Sequence, residues 1–324
     1  MKRTILLAAT AAGMVLSATT AQAEKWDMPM AYAATNFHSE MGVVFADKVR
    51  DYIGGKIDIT VHAGGSLFKG GEIKRAVQTG QAPIGERFMS AHANEAPLLG
   101  WDNLPFIATT YEENNKLWEA AQDKVNAQLD SLNLVALYTC PWPGQGFYFN
   151  KAVTSSADTK GVKFRSYNAA TATFAKELGM TPVQIEAAEL SQALATGVAE
   201  SFISSGSTGY DRKIWEHLSH YYKVNAWLPR NYVIVNKGVW NNLDDGTRSA
   251  VQKAADETGA ACAAKSAQLA NWYFEQLESN GMKVEDASPA FLKELQAIGA
   301  KMQSDWLAAV GSDGQAIIDA YKAM

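Results

Sequence analysis

Few residues in this chain are spaced to make or break covalent bonds. Its five histidines, His38, His62, His92, His217 and His220, are scattered. Only His217 and His220 are spaced to share a helix face, where a solvated pair is the plain reading. The sequence contains no H-E-x-x-H, G-x-S-x-G, S-x-x-K or Walker loop. Gly64-Gly65 and Gly70-Gly71 flank Ser66-Leu67-Phe68-Lys69, which is not the G-x-G-x-x-G of a dinucleotide loop. Cys140 ends an apolar run and Cys262 lies in an Ala-rich stretch, so both read as buried free thiols. An oxidising compartment would permit them to pair. No histidine or second cysteine stands at ligand spacing from either, so no metal site is predicted. What remains is polar chemistry for holding an anion. Arg165 closes a short alternating run in which Val162 and Phe164 face one way and Lys163 and Arg165 the other. A guanidinium there presents a rigid two-pronged donor that matches a carboxylate. By pattern alone, an arginine at a strand end reads as solvated; the missing motifs disfavour an enzyme and predict no cofactor or metal.

The elements that must position such a residue read as α/β. Lys2 and Arg3 precede an uncharged stretch to Thr20, and Ala21-Gln22-Ala23 supplies an A-x-A site. This is the layout of a cleaved secretory leader over residues 1–23, too short for a spanning helix of about 20 apolar residues. Losing Lys2 and Arg3 takes the formal charge from −5 to −7. A mildly acidic chain without a basic block is a poor nucleic-acid binder. The remaining 300 or so residues suggest two domains. Trp26 to Tyr32 reads as a strand. Met41, Val44, Phe45, Val49, Tyr52 and Ile53 form one helical stripe that stops at Gly54-Gly55. Ile57, Ile59 and Val61 alternate as a strand, and Glu72 to Thr79 is a short helix. That β-α-β-α order predicts parallel strands. Leu132 to Tyr138 and Phe147 to Asn150 are strands separated by residues 141–146, a crossing between lobes. Helices are predicted over 169–178 and 189–196, strands over 198–203 and 232–235, and a Ser/Gly loop at 204–207. A long helix, broken at most once, covers 245–279. Another begins at Pro289 behind the N-cap Ser288.

Several segments in this order carry a resemblance. They are Asn36-Phe37-His38, Phe45-Ala46-Asp47-Lys48-Val49, Gly54-Gly55-Lys56-Ile57, Gly65-Ser66-Leu67-Phe68-Lys69-Gly70 and Ala76-Val77-Gln78-Thr79-Gly80. Leu104-Pro105-Phe106, the segment Asp158 to Arg165 (D-x-K-G-x-K-x-R) and the run from Val235-Asn236-Lys237 through Trp240 to Leu243 follow. Together they resemble the substrate-binding, DctP-type subunit of tripartite ATP-independent periplasmic (TRAP) transporters, over nearly the whole mature chain.

The resemblance implies a two-lobed periplasmic binding fold, each lobe a mixed sheet flanked by helices, with a long helix crossing both. It implies lobe I at 24–146 plus 231–275, and lobe II at 147–230 plus 276–324. It implies a monomer that captures a small organic acid and hands it to integral-membrane TRAP subunits for ion-driven uptake. A receptor for an ATP-driven importer, a sensory module and an enzyme on a two-lobed fold stay as alternatives. Arg165 falls on the arginine that pairs with the ligand carboxylate in this family. Gln145 stands near where some members carry a second arginine, which favours one carboxylate plus a polar group over a dicarboxylate. Asn231, Ser205 and Ser207 are expected to add polar contacts, and Asn36, Phe37 and Phe68 to come from the first lobe. Glu86 is expected to receive an amine or hydroxyl, or else to pair with Arg87. Trp227 and Tyr210 suggest an aromatic or amine-bearing acid.

Overall fold

The computed structural model describes residues 23–324. The leader read at 1–23 therefore lies, but for Ala23, outside the described residues. The first run is β1 (Glu24–Pro29), α1 (Phe37–Tyr52), β2 (Ile57–His62), α2 (Gly70–Gln78), β3 (Ile84–Phe88), α3 (Tyr111–Ser131) and β4 (Leu134–Pro141). The second is β5 (Gly146–Phe149), β6 (Lys163–Ser166), α4 (Ala169–Glu177), β7 (Thr181–Gln184), α5 (Leu190–Ala195), β8 (Ser201–Ser204), α6 (Gly206–Asp211) and β9 (His220–Lys223). The chain then returns through β10 (Arg230–Asn236), α7 (Lys237–Asn242), α8 (Asp245–Ser279), β11 (Lys283–Asp286), α9 (Pro289–Val310) and α10 (Ser312–Lys322).

Two lobes follow from strand pairing. In the first, β1 pairs parallel with β2, and β10 lies antiparallel between β3 and β4. In the second, six strands run in the order β11-β9-β5-β8-β6-β7. The parallel order expected from the β-α-β-α reading holds in the first lobe for β1 and β2, and in the second for β6 with β7 and β8 and for β9 with β11. The sheets are mixed because β5 and β10, each laid down by chain that has just crossed from the other lobe, pair antiparallel with their neighbours. Strand alternation divides each core in two. Val233, Val235 and Ile84 pack with Phe45, Val49 and Val251 on one face, while Tyr232 and Ile234 pack with Ile73, Val77 and Leu117 on the other. In the second lobe Phe147 and Phe149 meet Phe174, Phe291 and Leu295, whereas Tyr148 meets Phe202, Leu190 and Leu277.

The lobes are joined by a hydrogen-bonded ribbon. Residues 141–146 leave β4 for β5, and residues 225–230 return from β9 to β10. Between them Trp142 N donates to Pro229 O (2.7 Å), Gln145 N to Trp227 O (3.0 Å) and Ala226 N to Gln145 O (3.0 Å). Gly146 is dictated by this crossing: a Cβ there would lie 2.4 Å from Tyr222 O and 2.5 Å from the Tyr221 hydroxyl. Gly146→Ala should therefore lower stability by about 1–3 kcal/mol, the usual range for overpacking. An unchanged urea midpoint would show that the ribbon yields freely.

Helix α8 runs unbroken for 35 residues, about 50 Å at 1.5 Å per residue. It begins against α1 and β4 and ends against α6 and β11. Other expectations shift with packing. Val44 and Tyr52 are exposed, because the inner stripe of α1 is Phe37, Met41, Phe45 and Val49. The Ser/Gly segment winds into α6, whose Gly206 lies against Tyr273 and Phe274 of α8. His220 sits in β9, so it shares no helix face with His217. Helix α10 packs on α3 of the first lobe, with Ile317 in that core and Lys124 bonded to Asp313 (2.6 Å). The division above puts 276–324 with the second lobe.

Cys140 and Cys262 are joined, which corrects the reading of two free thiols. Strand β4 carries Cys140 to the flank of α8, where the two Cα atoms lie 5.7 Å apart, within bridging range. Sequence spacing gave no hint of this contact, because 122 residues separate the pair.

Candidate functional site

The lobes meet over a cleft lined from the first lobe by Tyr32, Arg87 and Phe88 and from the second by Arg165, Tyr167, Glu186 and Thr208. The ribbon forms its back wall with Trp142, Gln145 and Pro229. Strand β6 positions Arg165 as alternation requires: Phe164 is buried in the second-lobe core, and Arg165 points the other way. Its Nε donates to Ile185 O (2.8 Å), and its guanidinium carbon lies 5.2 Å from the centre of the Tyr167 ring. The side chain is only 3% exposed. Among the described residues it makes no ion pair, and burial pulls its pKa down to about 10, leaving it cationic at neutral pH. A buried cation without a counter-charge is costly. The remaining donor edges of the fork are thus the strongest anion-binding feature of the cleft.

Beside the charged Arg87 and Glu186, several polar groups of the cleft are neutral. Gln145 donates to Pro143 O (2.9 Å) and accepts from the Tyr167 hydroxyl (3.4 Å). Asn231 lies beside the cleft. Its Oδ1 accepts from Trp142 Nε1 (2.8 Å), and its buried Nδ2 has no partner. Trp227 stands behind the wall and donates to the Tyr167 hydroxyl (3.1 Å). Ser204 donates to Thr208 (2.7 Å). Burial raises the pKa of the Tyr32 and Tyr167 hydroxyls far above neutrality, so both stay protonated.

Other residues singled out from the sequence lie farther from the cleft lining. Asn36 caps α1 and reaches across to Asp211 (2.6 Å) and Ser207 (3.4 Å), tying the lobes together. The buried Ser205 hydroxyl has no partner. Phe37 packs against the disulfide with Met41 and Trp142, Phe68 against the first-lobe core, and Tyr210 against Trp272 and Tyr273. Glu86 faces His38 Nδ1 at 2.9 Å instead of Arg87. His38 also lies beside both cysteines, a proximity that spacing did not reveal. The sulfurs are bonded to each other, so they offer no thiolates to a metal.

Tyr32, Arg87, Phe88, Glu186 and Thr208 were not among the expected site residues. One signal was available: Glu86 and Arg87 are consecutive in β3, so when one faces α1 the other must face the opposite side. Arg87 is held from behind, its Nε donating to His92 Nε2 (3.3 Å). His92 Nδ1 in turn donates to Glu95 (3.2 Å), which also binds Lys74. Burial, aided by the Arg87 charge, pushes the His92 pKa down to about 4, which keeps Nε2 free to accept.

Comparison with known proteins places this architecture. The chain belongs to the bacterial extracellular solute-binding proteins of family 7 (DctP), whose family model matches residues 30–309. Its fold superposes with a TM-score of 0.93 on a TRAP solute-binding protein of an unidentified marine microbe, specific for pyroglutamate and solved with co-purified pyroglutamate. That protein is 84% identical, over 94% of this chain and all of the other. DctP6 of Bordetella pertussis, an extracytoplasmic receptor binding pyroglutamic acid, is 42% identical over 93% of this chain and all of its own, with a TM-score of 0.91. The C4-dicarboxylate-binding periplasmic protein DctP of Rhodobacter capsulatus is 26% identical over 222 residues, 66% of this chain and 65% of its own length.

Proposed function

We propose that this chain is the periplasmic receptor of a TRAP transporter and that its ligand is pyroglutamate. The observation that carries the reading is Arg165, a buried guanidinium at a cleft between two lobes with no acidic partner of its own. A carboxylate there completes a charge-assisted, two-pronged pair. Apart from the Arg87–Glu186 pair, the cleft offers neutral polar groups: Gln145, the Tyr32 and Tyr167 hydroxyls, Thr208 and, beside it, the unpartnered Asn231 Nδ2. Such groups suit the amide edge of a lactam, which carries one N–H donor and one C=O acceptor. The aromatic walls suit a flat, compact ring. This replaces the broader expectation of an aromatic or amine-bearing acid with a cyclic amide bearing one carboxylate. It keeps the preference for one carboxylate plus a neutral polar group.

The 84% and 42% identical receptors of known ligand support the same acid. Removal of residues 1–23 as a leader delivers the chain to the periplasm. Closure of the lobes on the ligand presents the form that the membrane subunits accept. Only contacts made in the closed state can drive that closure.

Purified mature protein, unfolded and refolded to strip any carried ligand, should be stabilised by L-pyroglutamate in a thermal-shift assay. At a hundredfold excess over the dissociation constant the gain is about 2.7 kcal/mol. A melting temperature indifferent to pyroglutamate, with a response to another acid, would replace the ligand. Indifference to every carboxylate would remove the function.

A further inference from the structure

The cleft holds a second cation, and that cation is already matched. Arg87 reaches in from β3 of the first lobe and is 4% exposed. Its Nη2 lies 3.3 Å from Glu186 Oε1, which comes from the segment after β7 in the second lobe. Both side chains line the same cleft as Arg165. Glu186 is also seated on the first turn of α2. A Cβ on Gly70 would lie 2.8 Å from Glu186 Oε2 and 3.0 Å from Arg87 Nη1, and one on Gly71 would lie 3.5 Å from Glu186 Oε1. The two glycines therefore leave the space the carboxylate occupies. A helix N-terminus and a guanidinium both favour a negative charge at that point. Arg87 cannot easily turn away, because His92 accepts from its Nε and is itself anchored through Glu95 to Lys74.

We infer that Glu186 is a specificity-determining residue: it is a built-in second anion that neutralises Arg87 and restricts the cleft to ligands bearing one negative charge. The inference rests on the reading of Arg165 as the carboxylate site. The charge count follows directly. With Arg165, Arg87 and Glu186 ionised, the cleft carries one net positive charge, which a monocarboxylate cancels. A dicarboxylate would bring its second carboxylate into a place where Glu186 already stands. It would then have to displace an ion pair or suffer like-charge repulsion in a poorly screened site. Without Glu186 the same two guanidiniums would form a site for a dianion. The residue thus works by exclusion, the repulsive half of selectivity. Its placement across the lobe boundary makes the exclusion operate as the lobes close.

The test compares L-pyroglutamate with glutarate, a flexible five-carbon dianion, by isothermal titration at pH 7.5 and fixed salt. The wild-type chain is titrated first with pyroglutamate. Failure to bind there refutes the ligand reading, independently of Glu186. In Glu186→Gln, the ratio of glutarate to pyroglutamate dissociation constants should fall at least tenfold from wild type. The near-isosteric double variant Arg87→Gln/Glu186→Gln should return that ratio towards the wild-type value, because the second cation has gone too. A ratio that stays within threefold of wild type in Glu186→Gln overturns the inference. So does loss of both ligands by a variant whose circular dichroism and melting are native, since Glu186 would then be a ligand or closure partner rather than an excluding charge. So does an equal gain of glutarate binding in the double variant, which would mean that removing bulk, not charge, opened the cleft. If Glu186→Gln does not fold, Arg87→Gln alone decides. It leaves Glu186 uncompensated and should weaken glutarate more than pyroglutamate, and equal weakening overturns the inference.

Discussion

Replacing Arg165 with alanine should reduce affinity for pyroglutamate by about thirtyfold or more while leaving the ligand-free protein no less stable. The first half follows from geometry. Arg165 is buried, anchored through Nε to Ile185 O, and has no ion-pair partner among the described residues, so its remaining donors are left for an anion. Truncating one partner of a buried, hydrogen-bonded charge pair costs about 2–5 kcal/mol, because the other charge is left desolvated without compensation. The second half has the opposite sign from most core truncations. Without ligand the guanidinium is a buried cation with no ion-pair partner among the described residues, and desolvation outweighs the attraction of Glu186 in lowering its pKa. Deleting it removes that penalty, which offsets the packing lost against Tyr167. Arg165→Lys should recover little affinity, since an ammonium cannot supply the two-pronged geometry. Isothermal titration and urea denaturation of the same preparations decide the matter. A dissociation constant within threefold of wild type would remove Arg165 from the binding assignment. A large loss of ligand-free stability would make it a structural residue.

The binding role of Arg165 was legible through the resemblance of its segment, and only its facing through local facts. Alternation over Val162 to Arg165 needs only four residues, and it predicted the side to which the guanidinium turns. Most elements were legible for the same reason. The periodicities of α1, β2 and α9 and the glycine stops after α1, α2 and α4 are short-range signals. The charge balance of the cleft was not legible. Reading Gln145 as the neutral replacement for a second arginine counted one cation, whereas the structure brings two and an acid together. Arg87 and Glu186 are 99 positions apart and meet only where the two lobes face each other. The aromatic residues show the same limit. Trp142 and Tyr210 look alike as isolated large rings in the chain. The first is carried to the cleft wall by the ribbon and the second to the flank of α8. Which ring faces a ligand is set by tertiary packing that no local period encodes. The antiparallel middle strand of the first lobe was hidden for a related reason. Strand β10 is added to that sheet after the chain has built the other lobe, so element order alone misstates direction.

The cysteines give the second large effect. Reduction of the Cys140–Cys262 bond, or the double substitution Cys140→Ala/Cys262→Ala, should lower unfolding free energy by about 2–5 kcal/mol. The bond closes a loop of 122 residues, which takes in the whole excursion through the second lobe and the return. In the chain-entropy view a loop of about 100 residues is worth about 4.7 kcal/mol, because the cross-link removes extended conformations from the unfolded ensemble. The native state has little reason to oppose the bond. Both residues are almost fully buried among Phe37, Met41 and Trp142, where β4 already lies against α8. The effect should therefore appear chiefly in the unfolded state, as a lower urea midpoint and a steeper dependence on urea when the chain is reduced, since the unfolded chain then exposes more surface. It also reaches the ligand. Trp142 follows the bond by two residues, lines the cleft and donates to Asn231, so a loosened ribbon should weaken pyroglutamate binding by a few-fold at most. Denaturation with and without a phosphine reductant measures the first effect. Coincident transitions, or two titratable thiols in denatured but unreduced protein, would show that the cysteines do not pair in the mature chain. The stability of the closed loop would then have to come from the lobe contacts alone.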